Sequence, residues 1–179
     1  MSTILLIRHC VSTAQHPDAP LTDTGAAQAI ALAEKLATIG VDAIYSSPYR
    51  RALATIEPFA RQFNLVVQTD ARLRERILSP EPLDDFIRHI QRSFEDPSHR
   101  APGGESLAET RQRALEALKE ISSRTHKLAV VVSHGNLIAS VLKSANPDFG
   151  FEDWRALRNP DLFRLQFKNG LLLSYARLD

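Results

Sequence analysis

Apolar residues along this chain fall into two alternating patterns, short continuous runs and longer stretches with an apolar position every three or four residues. The short runs are Leu5-Leu6-Ile7, Ala43-Ile44-Tyr45, Leu65-Val66-Val67 and Ala129-Val130-Val131-Val132. Such runs predict strands covered on both faces rather than on one. A polar loop over residues 10–23 follows the first run, and a helix of about 16 residues is expected next. Asp23 or Thr24 can cap it, Ala29, Leu32, Ala33 and Leu36 mark its buried face, and Gly40 stops it. Pro48 suits the first turn of a second helix running to Phe63, with Asn64 as its end signal. Leu83, Phe86, Ile87, Ile90 and Phe94 lie at i, i+3, i+4, i+7 and i+11, the spacing of a helix with one apolar face.

A loop over residues 97–104 separates that helix from a longer one. Ser106-x-x-Glu109 opens it as a capping box, and Leu115, Leu118 and Ile121 would be buried. A further helix spans Asn136 to Ser144, after the strand at 128–132. Phe163–Phe167 and Leu171–Tyr175 flank Asn169-Gly170, which predicts a hairpin. Strands that alternate with helices imply an α/β fold, a three-layer α/β/α sandwich on a mostly parallel sheet with room for one antiparallel edge strand. No repeat, linker or low-complexity tract divides the chain, so residues 1–179 are expected to form a single domain.

Composition narrows the partners more than the chemistry. With 22 basic and 21 acidic side chains the net charge is +1, which gives no overall field for nucleic acid or an anionic membrane surface. One cysteine, Cys10, precludes an intramolecular disulfide framework. No apolar run approaches the roughly 20 residues of a membrane span. The N-terminus enters a strand directly, with no secretory pattern, so a cytoplasmic setting is expected.

The chemistry gathers at the strand ends. The first strand runs into Arg8 and His9, and the strand at 128–132 runs into His134-Gly135. In open α/β sheets ligands bind outside the carboxyl ends of strands. Arg50 and Arg51 begin the helix after the second strand, and Glu75 lies among Arg72, Arg74 and Arg76 after the third. Two arginines, two histidines and one glutamate would therefore face a single crevice. Arginine matches phosphate oxygens bidentately, a neutral histidine can attack phosphorus, and a carboxylic acid can protonate a leaving oxygen. Positive donors around the transferring group suit phosphoryl transfer, and no ligand cluster calls for a metal or an organic cofactor.

At these residues the chain resembles the histidine phosphatase superfamily, the phosphoglycerate-mutase-like enzymes. Leu6-Ile7-Arg8-His9 is similar to its strand-end signature, and Pro20–Gly25 to its Leu-Thr-x-x-Gly helix entry. Ser47–Thr55 fits its Ser-x-x-x-Arg-Ala-x-x-Thr segment, which selects Arg51 over Arg50. Leu73-Arg74-Glu75, Gly104-Glu105-Ser106 and Val132-Ser133-His134-Gly135 follow in the family's order. The resemblance implies that His9 is phosphorylated, that Arg8, Arg51 and His134 hold the phosphate, and that Glu75 donates the proton. Gln15, Thr22 and Gly135 are implied as further substrate contacts, and the expected partner is a small phosphorylated metabolite.

Three stretches depart from the family pattern. Cys10 and Val11 stand where Gly and an acidic or amide residue are usual, Gln15 replaces an Asn, and Ile77-Leu78-Ser79-Pro80 replaces a Gly-x-Trp-Glu-Gly stretch. His16, His89, His99 and His126 read as surface histidines. Arg88, His89 and Arg92 read as a solvated helix face, with a grip on an anionic substrate tail as the rival. The pair His9-Cys10 invites comparison with cysteine phosphatases, but the arginine of their His-Cys-x5-Arg loop would fall at position 16, which is His16. Hydrolysis of a phosphate monoester is the expected activity. A phosphoglycerate-type mutase and a non-catalytic phospholigand-binding relative are the alternatives, and the short 76–104 segment, with little material for a lid, favours hydrolysis.

Overall fold

Six strands join into one sheet among the residues described by this computed structural model, 1–124 and 127–179. They are β1 (Ser2–Arg8), β2 (Ala43–Ser46), β3 (Val67–Thr69), β4 (Leu128–Ser133), β5 (Asp161–Lys168) and β6 (Leu171–Leu178), in the spatial order β3-β2-β4-β1-β5-β6. β3, β2, β4 and β1 are mutually parallel, whereas β5 runs against β1, and β6 returns against β5 through the Asn169-Gly170 turn. The single reversed strand is therefore β5, and it is not the edge strand.

Side-chain alternation along the parallel strands divides the core into two layers. Ile4, Leu6, Tyr45, Ala129 and Val131 face one layer with α4 (Leu107–Ser123) and α5 (Gly135–Ala145). Leu5, Ile7, Ile44, Val130 and Val132 face the other, with α1 (Asp23–Leu36) and α2 (Arg50–Gln62). Both faces of these strands are thus covered, which is why their sequences are apolar without alternation. α3 (Phe86–Glu95) and a short α6 (Phe151–Arg155), the latter not anticipated, pack at one end of the first layer.

Several boundaries differ from expectation for local reasons. The N-cap of α1 is Thr22, whose hydroxyl accepts the Gly25 N–H at 3.0 Å, and the helix ends at Leu36, ahead of Gly40. α2 begins at Arg50, so Pro48 precedes the helix instead of lying in its first turn. Leu65 donates its N–H back to Ala60 O after the positive-φ residue Asn64, so the chain is still finishing α2 and β3 starts only at Val67. The Ser106–Glu109 capping box forms, and α4 buries Leu118 and Ile121 while Leu115 is only partly covered. In α3, Ile90 and Phe94 are buried but Phe86 and Ile87 are exposed, a narrower buried face than the spacing predicts.

Candidate active site

The register of the sheet brings the two histidines together. Arg8 pairs with Ser133 across β1 and β4, and Ser46 of β2 pairs with Val132. The chain therefore leaves three neighbouring strands at almost the same level, with His9 N donating to Ser133 O at 3.0 Å and Ser47 N to Val132 O at 2.9 Å. The His9 and His134 rings lie 5.1 Å apart between centroids.

His9 is 4% exposed, and its two nitrogens have different partners. Nδ1 lies 2.7 Å from the Cys10 carbonyl oxygen, and Nε2 lies 3.1 Å from Arg51 Nε. A carbonyl can only accept and a guanidinium can only donate, so the proton of the neutral ring belongs on Nδ1 and the lone pair on Nε2. Burial, opposed by the Cys10 hydrogen bond and aided by the charges of Arg51 and Arg8, pushes the His9 pKa down from 6.5 to about 3. Nε2 thus carries a lone pair at any ordinary pH.

His134 is fully buried, and burial together with the nearby His9, Arg51 and Arg8 holds its pKa well below the usual histidine value. Its Nε2 lies 2.8 Å from Ser47 Oγ, which already accepts the Tyr49 N–H. With the Ser47 hydroxyl donating to Nε2, the imidazole proton sits on Nδ1, the buried nitrogen that has no partner. Arg51 Nη1 donates to His16 O at 2.9 Å, and Arg8 Nη1 to Leu157 O at 2.9 Å. Burial lowers the pKa of both guanidiniums from the usual arginine value, partly offset by the charge of Glu75. A Cβ at position 135 would come within 3.3 Å of the Arg8 guanidinium, so Gly135 lets the arginine lie against the backbone.

Among the described residues, the buried side-chain polar atoms without a partner are Arg8 Nε, Arg51 Nη2, His134 Nδ1 and Asn136 Oδ1. An unsatisfied buried donor costs about 1–3 kcal/mol. Folded chains rarely leave such groups unpaired except where they serve a ligand. Three donors on two cations and a histidine, gathered about His9, form a cradle whose charge suits an anionic group.

Glu75 faces this cradle from the loop after β3. Its carboxylate accepts the N–H groups of Arg76, Asn136 and Leu137 at 2.8, 3.1 and 3.2 Å. Two of these donors open α5, so Glu75 caps that helix from a distance where His134 provides no side-chain cap. Arg113 holds the 72–75 segment by donating to Arg72 O and Arg74 O, while Glu105 neutralises it at 2.6 Å. On the other side of the cradle, Thr55 Oγ1 accepts Cys10 N, Asn159 Nδ2 donates to His9 O, and Gln28 Oε1 accepts Val11 N. None of Gln28, Arg113 and Asn159 is a sequence-predicted site residue, because their partners are distant in the chain.

Above the cradle a cleft of about 650 Å³ is lined by Arg8, Gln15, His16, Glu75, Gly135 and Asn136, with apolar walls from Tyr49, Ile77, Leu78, Phe86 and Trp154 among others. Thr22 is not among the lining residues, and its hydroxyl is occupied as the cap of α1. Cys10 is fully buried and its thiol is pushed up to about 11 by burial, which removes it as a thiolate nucleophile. His16 is exposed at the cleft, as expected, but its carbonyl also anchors Arg51. His89 and His99 lie near the surface, half-covered and stacked 5.2 Å apart. His126 lies outside the described residues. Among the described residues no cluster of three or more His, Cys, Asp or Glu could hold a metal ion, and no helix is long and apolar enough to cross a membrane.

Residues 4–171 match the family model described as histidine phosphatase superfamily, branch 1. The chain is 30% identical over 167 residues to the probable phosphoglycerate mutase GpmB of Proteus mirabilis, covering 88% of this chain and 78% of that protein. It is 31% identical over 152 residues to phosphoserine phosphatase 1 of Hydrogenobacter thermophilus, covering 75% and 71%. The solved structure of a mycobacterial glucosyl-3-phosphoglycerate phosphatase with VO3 superposes with a TM-score of 0.75 at 26% identity, covering 93% of each chain.

Proposed function

The chain belongs to branch 1 of the histidine phosphatase superfamily, and from that premise we propose that it hydrolyses a small phosphate monoester through a phosphohistidine on His9. The observation that carries this reading is the fixed tautomer of His9, whose Nε2 lone pair lies among unpartnered donors of Arg8, Arg51 and His134. In the first step Nε2 attacks phosphorus and the P–O bond to the alcohol breaks. Arg51 Nε leaves Nε2 and, with Arg51 Nη2, Arg8 Nε and His134 Nδ1–H, neutralises the equatorial oxygens.

Glu75 gives its proton to the departing alcohol. Its Oε2 accepts only the Asn136 N–H, whereas Oε1 accepts two, so Oε2 is the oxygen free to carry that proton. The resulting carboxylate then takes a proton from water as the water oxygen attacks phosphorus and the P–N bond breaks. Phosphate leaves and His9 regains its lone pair. The chain's own groups complete both steps, without a metal or cofactor, and we assign the reaction to the cytoplasm.

Return of the phosphoryl group to a bound alcohol would make the protein a mutase, a reading favoured by the similarity to the probable mutase. Ile77, Pro80 and Phe86, which wall the cleft, are exposed, and an uncovered cleft admits the water that hydrolysis requires. Quenching a reaction with labelled substrate into alkali tests the covalent step. An acid-labile, alkali-stable phosphoprotein is expected, and its absence under single-turnover conditions contradicts the mechanism.

A further inference from the structure

We infer that the leaving-group side of the cleft takes the ester of an uncharged, hydrocarbon-bearing alcohol in preference to one bearing a second carboxylate or phosphate. This rests on the phosphatase reading above. Beyond the cradle the cleft is walled by Ile77, Leu78, Pro80, Phe86, Ile90 and Trp154. Phe86 and Ile77 are 49% and 41% exposed, so each leaves apolar surface in water that a bound hydrocarbon would cover.

Of the ionisable groups lining the same cleft, His16 is exposed, while Arg8, Glu75 and Arg76 are committed elsewhere. Arg8 belongs to the cradle, and Glu75, which binds substrate in its protonated form, supplies no positive charge for a second anion. Arg76 is 5% exposed, and each of its three nitrogens already donates, Nε to Glu105 O, Nη1 to Ser93 Oγ and Nη2 to His99 O. Turning it toward a substrate would break the contacts that tie Arg76 to α3 and to the loop that follows it. The arginines of α3, Arg88 and Arg92, line a different cavity with Asp85, His89 and His99, whereas Phe86 and Ile90 of the same helix line the cleft. The helix therefore turns its apolar side to the substrate and its cations away.

The test compares kcat/KM for four alkyl phosphates, 3-phenylpropyl phosphate, ethyl phosphate, phosphoserine and 3-phosphoglycerate. The phenylpropyl ester should exceed ethyl phosphate by about ten-fold, chiefly through KM, and should exceed both carboxylated esters by more than that. Phe86→Ala should reduce the phenylpropyl-to-ethyl ratio, and Ile77→Lys, which adds a cation to the exposed wall, should raise turnover of phosphoserine and 3-phosphoglycerate relative to ethyl phosphate. Equal or better hydrolysis of either carboxylated ester by the unmodified protein overturns the inference, as does an unchanged ratio in Phe86→Ala. If none of the four esters is turned over, the phosphatase reading itself has failed.

Discussion

The protein contains two clusters of almost the same composition. The cradle at the ends of β1, β2 and β4 joins Arg8, Arg51, His9 and His134 with Glu75. The smaller cavity on α3, about 250 Å³, joins Arg88, Arg92, His89 and His99 with Asp85. Composition therefore cannot tell them apart, but desolvation and hydrogen-bond accounting can. In the α3 cavity His89 Nδ1 meets His99 Nε2 at 3.0 Å, and His89 Nε2 lies 3.5 Å from Asp85, so the ring spends both nitrogens within the cluster. In the cradle three buried donors are left over. The α3 cations extend from an exposed helix face, whereas those of the cradle are fixed by a sheet register and by carbonyls. Unspent donors on a rigid frame distinguish a binding site from a solvated cluster.

The largest expected effect separates the clusters outright. His9→Ala should lower kcat by about 10⁴-fold or more, since it removes the proposed nucleophile. His89→Ala should leave kcat within about two-fold, because exposed-cluster substitutions act weakly. Steady-state kinetics on an aryl phosphate would check both, and comparable losses would erase the distinction drawn between the clusters.

A second effect concerns the two acids. Glu75→Gln should lower kcat/KM by about 10² to 10³-fold on an alkyl phosphate, where the leaving oxygen needs a proton, and far less on 4-nitrophenyl phosphate. Asp85→Asn should not change the ratio between the two substrates. Equal losses on both esters in Glu75→Gln would remove Glu75 as the proton donor while leaving a role in capping α5.

How much of this contrast is legible in the sequence depends on the range over which it is made. The strand-end positions of His9 and His134, the start of α2 beside Arg51 and the Ser106–Glu109 cap follow from local pattern, and the structure brings His9, His134, Arg8, Arg51 and Glu75 together. The braces do not follow, because Asn159 reaches His9 across 150 residues and Arg113 reaches Arg74 across 39. The apolar spacing of α3 is real, but Phe86 lines the cleft while Ile90 serves both cleft and core, and periodicity cannot tell a core from a pocket wall. The same limit applies to Thr22, whose motif position is equally compatible with a substrate contact and with the helix cap it makes.

Acid stability gives a smaller and more graded contrast. His9 and His134 are both held neutral in the folded protein by burial, while in the unfolded chain each has a pKa near 6.5. As pH falls below that value the unfolded state binds protons that the folded state does not, so stability declines from about pH 6.5 toward 3. Each such histidine adds a slope of up to about 1.4 kcal/mol per pH unit. Urea unfolding at several pH values should show this decline, and His134→Asn should flatten it. His99, lowered by burial and by Arg92 but lying near the surface, should contribute less to the slope. A His99→Asn variant that flattened the curve as much as His134→Asn would mean that the α3 pair is as thoroughly desolvated as the cradle.

The smallest expected effect is the most pointed test of the α3 cluster. If Arg88 and Arg92 gripped an anionic substrate tail, their loss would raise KM for a carboxylated ester and leave an ester without a second charged group untouched. The geometry predicts otherwise, because both residues line a cavity that shares no lining residue with the cleft above the cradle. The double variant Arg88→Ala with Arg92→Ala should keep KM for both 3-phosphoglycerate and ethyl phosphate within about two-fold, as expected for surface substitutions away from a site. Lowering the ionic strength sharpens the measurement, since any long-range attraction by two exposed cations grows as screening weakens. A uniform shift for both anionic esters at low salt that vanishes at 0.5 M salt would be diffuse steering. A salt-resistant rise in KM for 3-phosphoglycerate alone would instead place these arginines in the substrate site and make the two clusters parts of one.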